Sequence, residues 1–101
     1  MRILVMFDLP ITTAKGRSEY YKFRKYLIKS GFFMLQESIY CKLAPNSNVG
    51  ELILANIRKN KPNDGLVQVL KITEKQYAKM EYIVGNNTSE ILDTDERLVI
   101  L

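Results

Sequence analysis

Apolar residues run almost without a break from Ile3 to Phe7, and the run ends on Asp8, with Pro10 two positions later. A continuous apolar run of this length is typical of a buried strand, so it predicts a central strand over residues 2–7. Proline ends the strand because it lacks the backbone donor that a sheet ladder needs. The carboxylate of Asp8 is therefore expected where a rigid strand ends.

The same kind of pattern divides the rest of the first 72 residues into helices and strands. Tyr20, Phe23 and Leu27 recur three and four positions apart, which gives a helix one apolar stripe. Gly31 follows where a left-handed residue commonly ends a helix. The predicted elements are strands over residues 2–7, 32–35, 38–43 and 66–72 and helices over residues 17–30 and 49–59.

Residues 32–43 alternate in a way that predicts a hairpin with one buried face. One parity is expected to face the core and contains Phe33, Leu35, Ile39, Cys41 and Leu43. The other parity is expected to face outward and contains Gln36, Ser38, Tyr40 and Lys42. Cys41 is then a buried structural thiol.

The element order βαββαβ predicts an α+β fold, a ferredoxin-like core over residues 1–72. Residues 73–101 form a C-terminal extension of the same domain. It opens with a capping box at residues 73–76 and a short helix to about residue 80. A brief strand over residues 82–84 and an acidic linker to residue 97 follow.

The chain ends on an apolar run that the linker separates from the core. Its members are Leu98, Val99, Ile100 and Leu101. Four large apolar residues need burial, and a sheet edge is the natural place for them. They can pair within their own chain or cross to a second copy. The linker is long enough to reach, and exchange in a symmetric homodimer is the favoured interpretation.

Composition excludes several classes of protein. No apolar run approaches the length of a membrane span, no signal peptide precedes the first strand, and a single cysteine allows no internal disulfide, so a cytoplasmic protein is the simplest interpretation. The 101 residues contain no histidine. This excludes Ser-His and Cys-His nucleophile pairs and imidazole zinc sites. Any catalysis must use carboxylates, tyrosine, lysine or a bound metal.

The net charge is +4, and its distribution is uneven. Residues 1–72 carry twelve Lys and Arg against five Asp and Glu, while residues 73–101 carry three against six. This asymmetry indicates a polyanion-binding region, although a solvated helix face would look the same. The candidate nucleic-acid contacts are Lys15, Arg17, Lys22, Arg24, Lys25 and Lys29, followed by Arg58, Lys59 and Lys61.

Asp8 is the one chemical candidate, and two interpretations stay open. A carboxylate at a strand exit can form an Asx-type turn. It can also bind a hard cation such as Mg²⁺, which prefers oxygen ligands. One carboxylate is too few for a tight site, so the metal hypothesis requires two copies of Asp8 across a two-fold axis.

Several segments of the sequence also resemble those of a known protein family. Residues 6–10 (MFDLP), residues 36–40 (QESIY), the basic first helix and the βαββαβ order together resemble the small CRISPR-associated endonuclease Cas2. Residues 71–76 and 96–101 resemble its type II-A branch. The resemblance implies a homodimer that bridges two dimers of the CRISPR integrase subunit in spacer acquisition. It also implies that Asp8 is the catalytic residue and Mg²⁺ ligand of an endonuclease acting on RNA or DNA.

Three competing hypotheses for the function follow from the residues and from this resemblance. The first is a scaffold subunit of CRISPR adaptation that binds double-stranded DNA through its phosphates. The second is a metal-dependent endonuclease acting on RNA or DNA. The third is a generic ferredoxin-like regulatory or RNA-binding module, since this fold has many functions. Against an RNA-recognition domain, no aromatic-rich RNP motif occurs on a predicted strand.

Overall fold

The predicted βαββαβ order is the order that the chain adopts. The computed structural model describes residues 1–86. Its elements are β1 (Arg2–Asp8), α1 (Ala14–Lys29), β2 (Phe33–Gln36), β3 (Ile39–Leu43), α2 (Ser47–Lys59), β4 (Leu66–Ile72) and α3 (Glu74–Ala78). The strands form one sheet in the order β2-β3-β1-β4, and every neighbouring pair is antiparallel. The central position of β1 and the ferredoxin-like arrangement are confirmed.

α1 begins three residues earlier than predicted because Thr13 caps it. The Thr13 Oγ1 atom accepts a hydrogen bond from the backbone N–H of Gly16 at 3.0 Å. Lys15 and Gly16 therefore belong to the first turn of the helix and not to the preceding connection. At the other end, Gly31 has the predicted left-handed conformation, with φ of 94°.

The caps of the other two helices follow the sequence closely. The side chain of Asn46 accepts from the backbone of Val49 at 2.9 Å, so α2 begins two residues before its predicted start. Thr73 and Gln76 form the predicted capping box of α3, with reciprocal bonds of 3.0 and 2.9 Å. The prediction of a brief strand over residues 82–84 was wrong, since no strand forms there and residues 83–85 form a bend.

The core lies between the sheet and the two long helices. Ile3, Val5 and Phe7 of β1 pack there against Phe23 and Leu27 of α1. Ile57 of α2 completes the same cluster, together with Tyr40 from β3. Side chains alternate along β1 between the two faces of the sheet. One face is covered by the helices, and we call the opposite one the open face.

The predicted parity of β3 was wrong. Tyr40 pairs with Val5 and is fully buried on the helix-covered face, while Leu43 lies on the open face and is 55% exposed. Tyr40 tolerates burial because its hydroxyl contacts Arg24 Nε at 2.9 Å and its ring stacks on Phe7. Lys42 shares the helix-covered parity and donates to the backbone oxygen of Ser30. Cys41 is buried as predicted, although on the open face.

Arg2 ties α3 to one end of the open face. Its Nε atom lies 3.1 Å from Glu74 Oε2, and its guanidinium carbon lies 4.0 Å from the centroid of the Tyr77 ring. Elsewhere on this face, Leu66 and Leu70 are each about half exposed. The chain therefore packs its short third helix against the sheet and leaves an apolar surface beside it.

The ion pair between Arg2 and Glu74 predicts an acid-sensitive contribution to stability. The hydrogen bond from Arg2 holds the pKa of Glu74 below its ordinary value. A carboxyl group with a lowered pKa in the folded state stabilises the fold above its unfolded pKa of about 4.3 and loses that effect as the pH falls. Glu74→Gln should therefore lower the melting temperature at pH 7 and have little effect at pH 3. Circular dichroism melts of both proteins test this, and a difference that persists at pH 3 would contradict it.

Gly16 allows the backbone of Pro10 to approach α1 closely. Its replacement by alanine should therefore change the stability in the direction opposite to that expected for a helical glycine. A Cβ atom at this position would lie 2.0 Å from the backbone oxygen of Pro10. Replacing a helical glycine by alanine ordinarily stabilises a helix by about 1 kcal/mol. Gly16→Ala should instead destabilise the fold by roughly 1–3 kcal/mol, because the connection to β1 must move. Urea unfolding measures the effect, with Ser18→Ala on the exposed side of α1 as the control.

Candidate nucleic-acid interface and the Asp8 cleft

Asp8 is the last residue of β1, and its side chain is exposed. It pairs with Leu66, the first residue of β4. Gly65 precedes that pair with φ of 92°, and a Cβ atom there would lie 2.8 Å from the backbone oxygen of Asp8. β4 thus pairs with this end of β1, and Gly65 packs closely against it. Any larger residue at position 65 would be strained.

A cleft of about 590 Å³ opens beside Asp8, between α1 and the turn that joins β2 to β3. We call it the Asp8 cleft. Its polar and aromatic lining consists of Asp8, Arg17, Tyr20, Tyr21, Arg24, Glu37 and Ser38. The volume lies within the range of small-ligand sites, so the cleft is large enough for part of a nucleotide.

Hydrogen bonds hold several of the side chains around the Asp8 cleft. Arg17 Nη1 donates to the backbone oxygen of Ile11 at 3.2 Å. The hydroxyl of Tyr20 donates to the backbone oxygen of Glu37 at 3.4 Å. Arg24 is only partly exposed, unlike the free surface charge that the sequence suggested, because its guanidinium contacts the buried hydroxyl of Tyr40. Arg17 and Arg24 therefore line the same cleft as Asp8, and each guanidinium makes a hydrogen bond within the protein.

Glu37 is a second carboxylate in this cleft, and sequence reasoning missed it. Only the turn between β2 and β3 brings it near the end of β1, so no local motif announces it. Even so, no three His, Cys, Asp or Glu side chains within residues 1–86 come together as a metal-binding group. The described residues therefore offer Mg²⁺ at most the two carboxylates of Asp8 and Glu37, and its remaining oxygen ligands would come from water, from substrate phosphate or from the Asp8 of a second chain.

The basic residues of α1 divide into two flanks. Lys15, Lys22 and Lys29 are seven residues apart and exposed, and at about 100° per residue they form one stripe along the helix. Arg17 and Arg24 are also seven residues apart, and they line the Asp8 cleft on another side of the helix. Lys25 is exposed and follows Lys22 by nearly one turn.

The residues predicted outside α1 are placed differently from one another. Lys61 lines a notch of about 240 Å³ together with Lys22, so these two lysines border one surface. Arg58 lies near Glu51, whose pKa is lowered chiefly by its hydrogen bond with Lys71 and also by the charge of Arg58. Lys59 is exposed in the last turn of α2.

The assigned roles of these residues stay predictions. The structure gives the positions of Asp8 and of all nine basic residues. The predicted interface run, Leu98, Val99, Ile100 and Leu101, lies outside the described residues, as does most of the acidic linker.

Comparison with known proteins gives the class of the chain. Residues 1–80 match the family described as CRISPR associated protein Cas2. A protein named CRISPR-associated endoribonuclease Cas2 from Treponema denticola is 57% identical over 101 residues, which cover the whole of both chains. A protein of the same name from Streptococcus mutans is 43% identical over all of this chain and 93% of its own length. These are CRISPR-associated proteins, and this chain belongs to the Cas2 family.

A solved structure agrees on the fold. The crystal structure of Streptococcus pyogenes Cas2 superimposes with a TM-score of 0.59 at 18% identity, covering 83% of this chain and all of that one. The superposition confirms the predicted α+β fold, and the family match together with the relatives confirms the predicted Cas2 resemblance. Separately, none of the helices within residues 1–86 is long and apolar enough to cross a membrane.

Proposed function

We propose that this chain is a homodimeric scaffold subunit of CRISPR adaptation that binds protospacer duplex DNA through its phosphates and bridges integrase dimers. The observation that carries the DNA-binding part is the exposed stripe of Lys15, Lys22 and Lys29, bordered by Lys61. Lysine ammonium groups neutralise phosphates without reading bases. A scaffold that accepts arbitrary spacer sequences needs such a surface.

The open face supports the homodimer. Leu43, Leu66 and Leu70 are each about half exposed there, and burial of such apolar surface favours association. Asp8 shares the parity of Leu4 and Met6, so it belongs to the same face at one end of the sheet. A second copy packed on this face would bring two Asp8 residues toward each other. The terminal run from Leu98 to Leu101 would then add a strand to the partner.

The type II-A assignment and the integrase partner belong to the same proposal. Residues 71–76 and 96–101 carry the resemblance to the type II-A branch, and the similarity to a streptococcal relative is in line with it. The acidic balance of residues 73–101 gives the extension a different chemistry from the basic core. This difference suits the extension to protein contact and the core to DNA.

A metal-dependent endonuclease is the second candidate function, and the Asp8 cleft favours it. The relatives from Treponema denticola and Streptococcus mutans are named endoribonucleases. In this chain Asp8 shares a cleft with Arg17 and Arg24, which can hold a phosphodiester beside the carboxylate. Hydrolysis of RNA or DNA would then use Asp8 from both chains of the dimer, with Mg²⁺ supplied from solution.

The scaffold proposal predicts steeply salt-dependent DNA binding. Each neutralised phosphate of B-DNA contributes about 0.9 to the slope of log affinity against log salt. The double variant Lys22→Glu and Lys25→Glu should weaken binding of a duplex many-fold and reduce this slope. Fluorescence anisotropy between 50 and 200 mM salt, a range chosen because phosphate contacts lose affinity steeply across it, measures both quantities.

The matched control for that experiment is Lys75→Glu with Lys79→Glu, which makes the same charge change on and beside α3. This control should bind nearly as the unmodified chain does. Two outcomes would contradict the proposal: affinity that does not change with salt, or an equal loss in the control. Spacer acquisition with the integrase partner should follow the order of the DNA affinities.

Asp8→Ala separates the scaffold from the nuclease. Because the side chain is exposed, the variant should keep its fold and its dimer. If Asp8 is catalytic, Mg²⁺-dependent cleavage of an RNA or DNA oligonucleotide disappears, while duplex binding and spacer acquisition stay at the level of the unmodified chain. Cleavage that persists unchanged in the variant would exclude a catalytic Asp8. Loss of acquisition by a well-folded dimer would show that the scaffold role depends on this carboxylate.

A further inference from the structure

A hydrogen bond to Glu19 joins α1 to the connection between α2 and β4. The backbone N–H of Asn63 donates to Glu19 Oε1 at 3.1 Å. Glu19 is the only acidic residue among the six basic ones between Lys15 and Lys29. From charge alone, it merely reduces the positive potential of α1. The structure shows that Glu19 also accepts a hydrogen bond from a loop that lies far away in the sequence.

This loop, over residues 60–65, is also fixed at its far end. Gly65 packs against β1, where a Cβ atom would lie 2.5 Å from the Leu9 side chain and 2.8 Å from the Asp8 backbone oxygen. Pro62 restricts the backbone between the two attachments. Lys61 lies two residues before Asn63, so the bond to Glu19 fixes the part of the loop that carries this lysine.

The notch that Lys22 and Lys61 line lies beside this attachment, because Glu19 and Asn63 belong to the same lining. Asn60, Asn63 and Glu19 also line it, and its volume is about 240 Å³. Lys22 lies one turn after Glu19 on the exposed stripe of α1. Two ammonium groups and amide side chains around a polar depression are groups that bind a phosphate. Glu19 contributes negative charge to the same place, but one of its oxygens is engaged with the loop.

We propose that Glu19 is a positioning residue for a phosphate-binding notch, and that it holds Lys61 beside Lys22 so that both lysines contact the backbone of bound nucleic acid. The inference rests on the proposed DNA-binding function and deepens it. It assigns to the only acid of the basic helix a favourable effect on binding a polyanion. A carboxylate suits the role because its hydrogen bond with a backbone N–H is charge-assisted.

Two substitutions at one position separate this role from simple repulsion. Glu19→Ala removes both the charge and the hydrogen-bond acceptor. Glu19→Gln removes the charge and keeps an oxygen that accepts from Asn63. If Glu19 only repels phosphates, both variants bind duplex DNA more tightly than the unmodified chain. If Glu19 positions the loop, Glu19→Ala binds more weakly, while Glu19→Gln binds at least as tightly as the unmodified chain.

The experiment measures duplex affinity against salt for these variants and for Lys61→Ala alone and combined with Glu19→Ala. We expect Lys61→Ala and Glu19→Ala each to weaken binding several-fold and to reduce the salt slope by about 1. The double variant should be no weaker than either single variant, because Lys61 has already lost its position. Lys79→Ala, beside α3, is the control for loss of one exposed lysine and should change neither quantity.

A measurement without DNA accompanies the titrations. Hydrogen exchange at the Asn63 amide should be faster in Glu19→Ala and near the unmodified rate in Glu19→Gln. Tighter binding by Glu19→Ala, a full additional loss in the double variant, or no effect of Lys61→Ala would each overturn the inference while leaving the DNA-binding function intact. An unmodified chain that binds no duplex would overturn both, and the exchange rates would then report only a structural bond.

Discussion

The packing of Phe7 against three aromatic rings is the contact on which the rest of the molecule depends. Its ring centroid lies 5.2 Å from Phe23, 5.6 Å from Tyr20 and 5.7 Å from Tyr40. These partners come from α1 and β3, so one side chain of the central strand sets the position of both. Aromatic pairs at such distances contribute about 0.5–1.5 kcal/mol beyond the area they bury. Because Asp8 follows Phe7 directly, the same cluster also sets the geometry at the end of β1.

The parts of the fold that local chemistry determines could be predicted from the sequence. The order of the elements followed from apolar spacing, and the capping box of α3 from four consecutive residues. β3 shows where that approach fails. Tyr40 looks like an outward residue because it alternates with Cys41, yet both faces of β3 are buried at this point. A large residue can occupy the helix-covered face only because Arg24, from another element, meets its hydroxyl.

The candidate site was predictable in its composition but not in its arrangement. Charge counting found every basic residue of α1 and treated them as one surface. Helical geometry separates them into a lysine stripe and a pair of arginines beside Asp8. The positions of two acidic residues could not be predicted from the sequence. Glu37 reaches the Asp8 cleft through the turn between β2 and β3, and Glu19 bonds to a loop that is distant in the chain. These contacts exist only once the sheet has formed.

Because Arg24 bonds to Tyr40, the charged groups on the two flanks of α1 differ in mobility. A buried phenol hydroxyl loses its partner if Arg24 swings away, and an unsatisfied buried polar group is unfavourable by about 1–3 kcal/mol. The guanidinium is therefore a stationary charge, whose field a ligand meets without rearrangement of the protein. Exposed Lys22 and Lys25 have long flexible stems and can follow a phosphate as it moves. One helix thus presents rigid positive charge toward the Asp8 cleft and adaptable positive charge toward the outside.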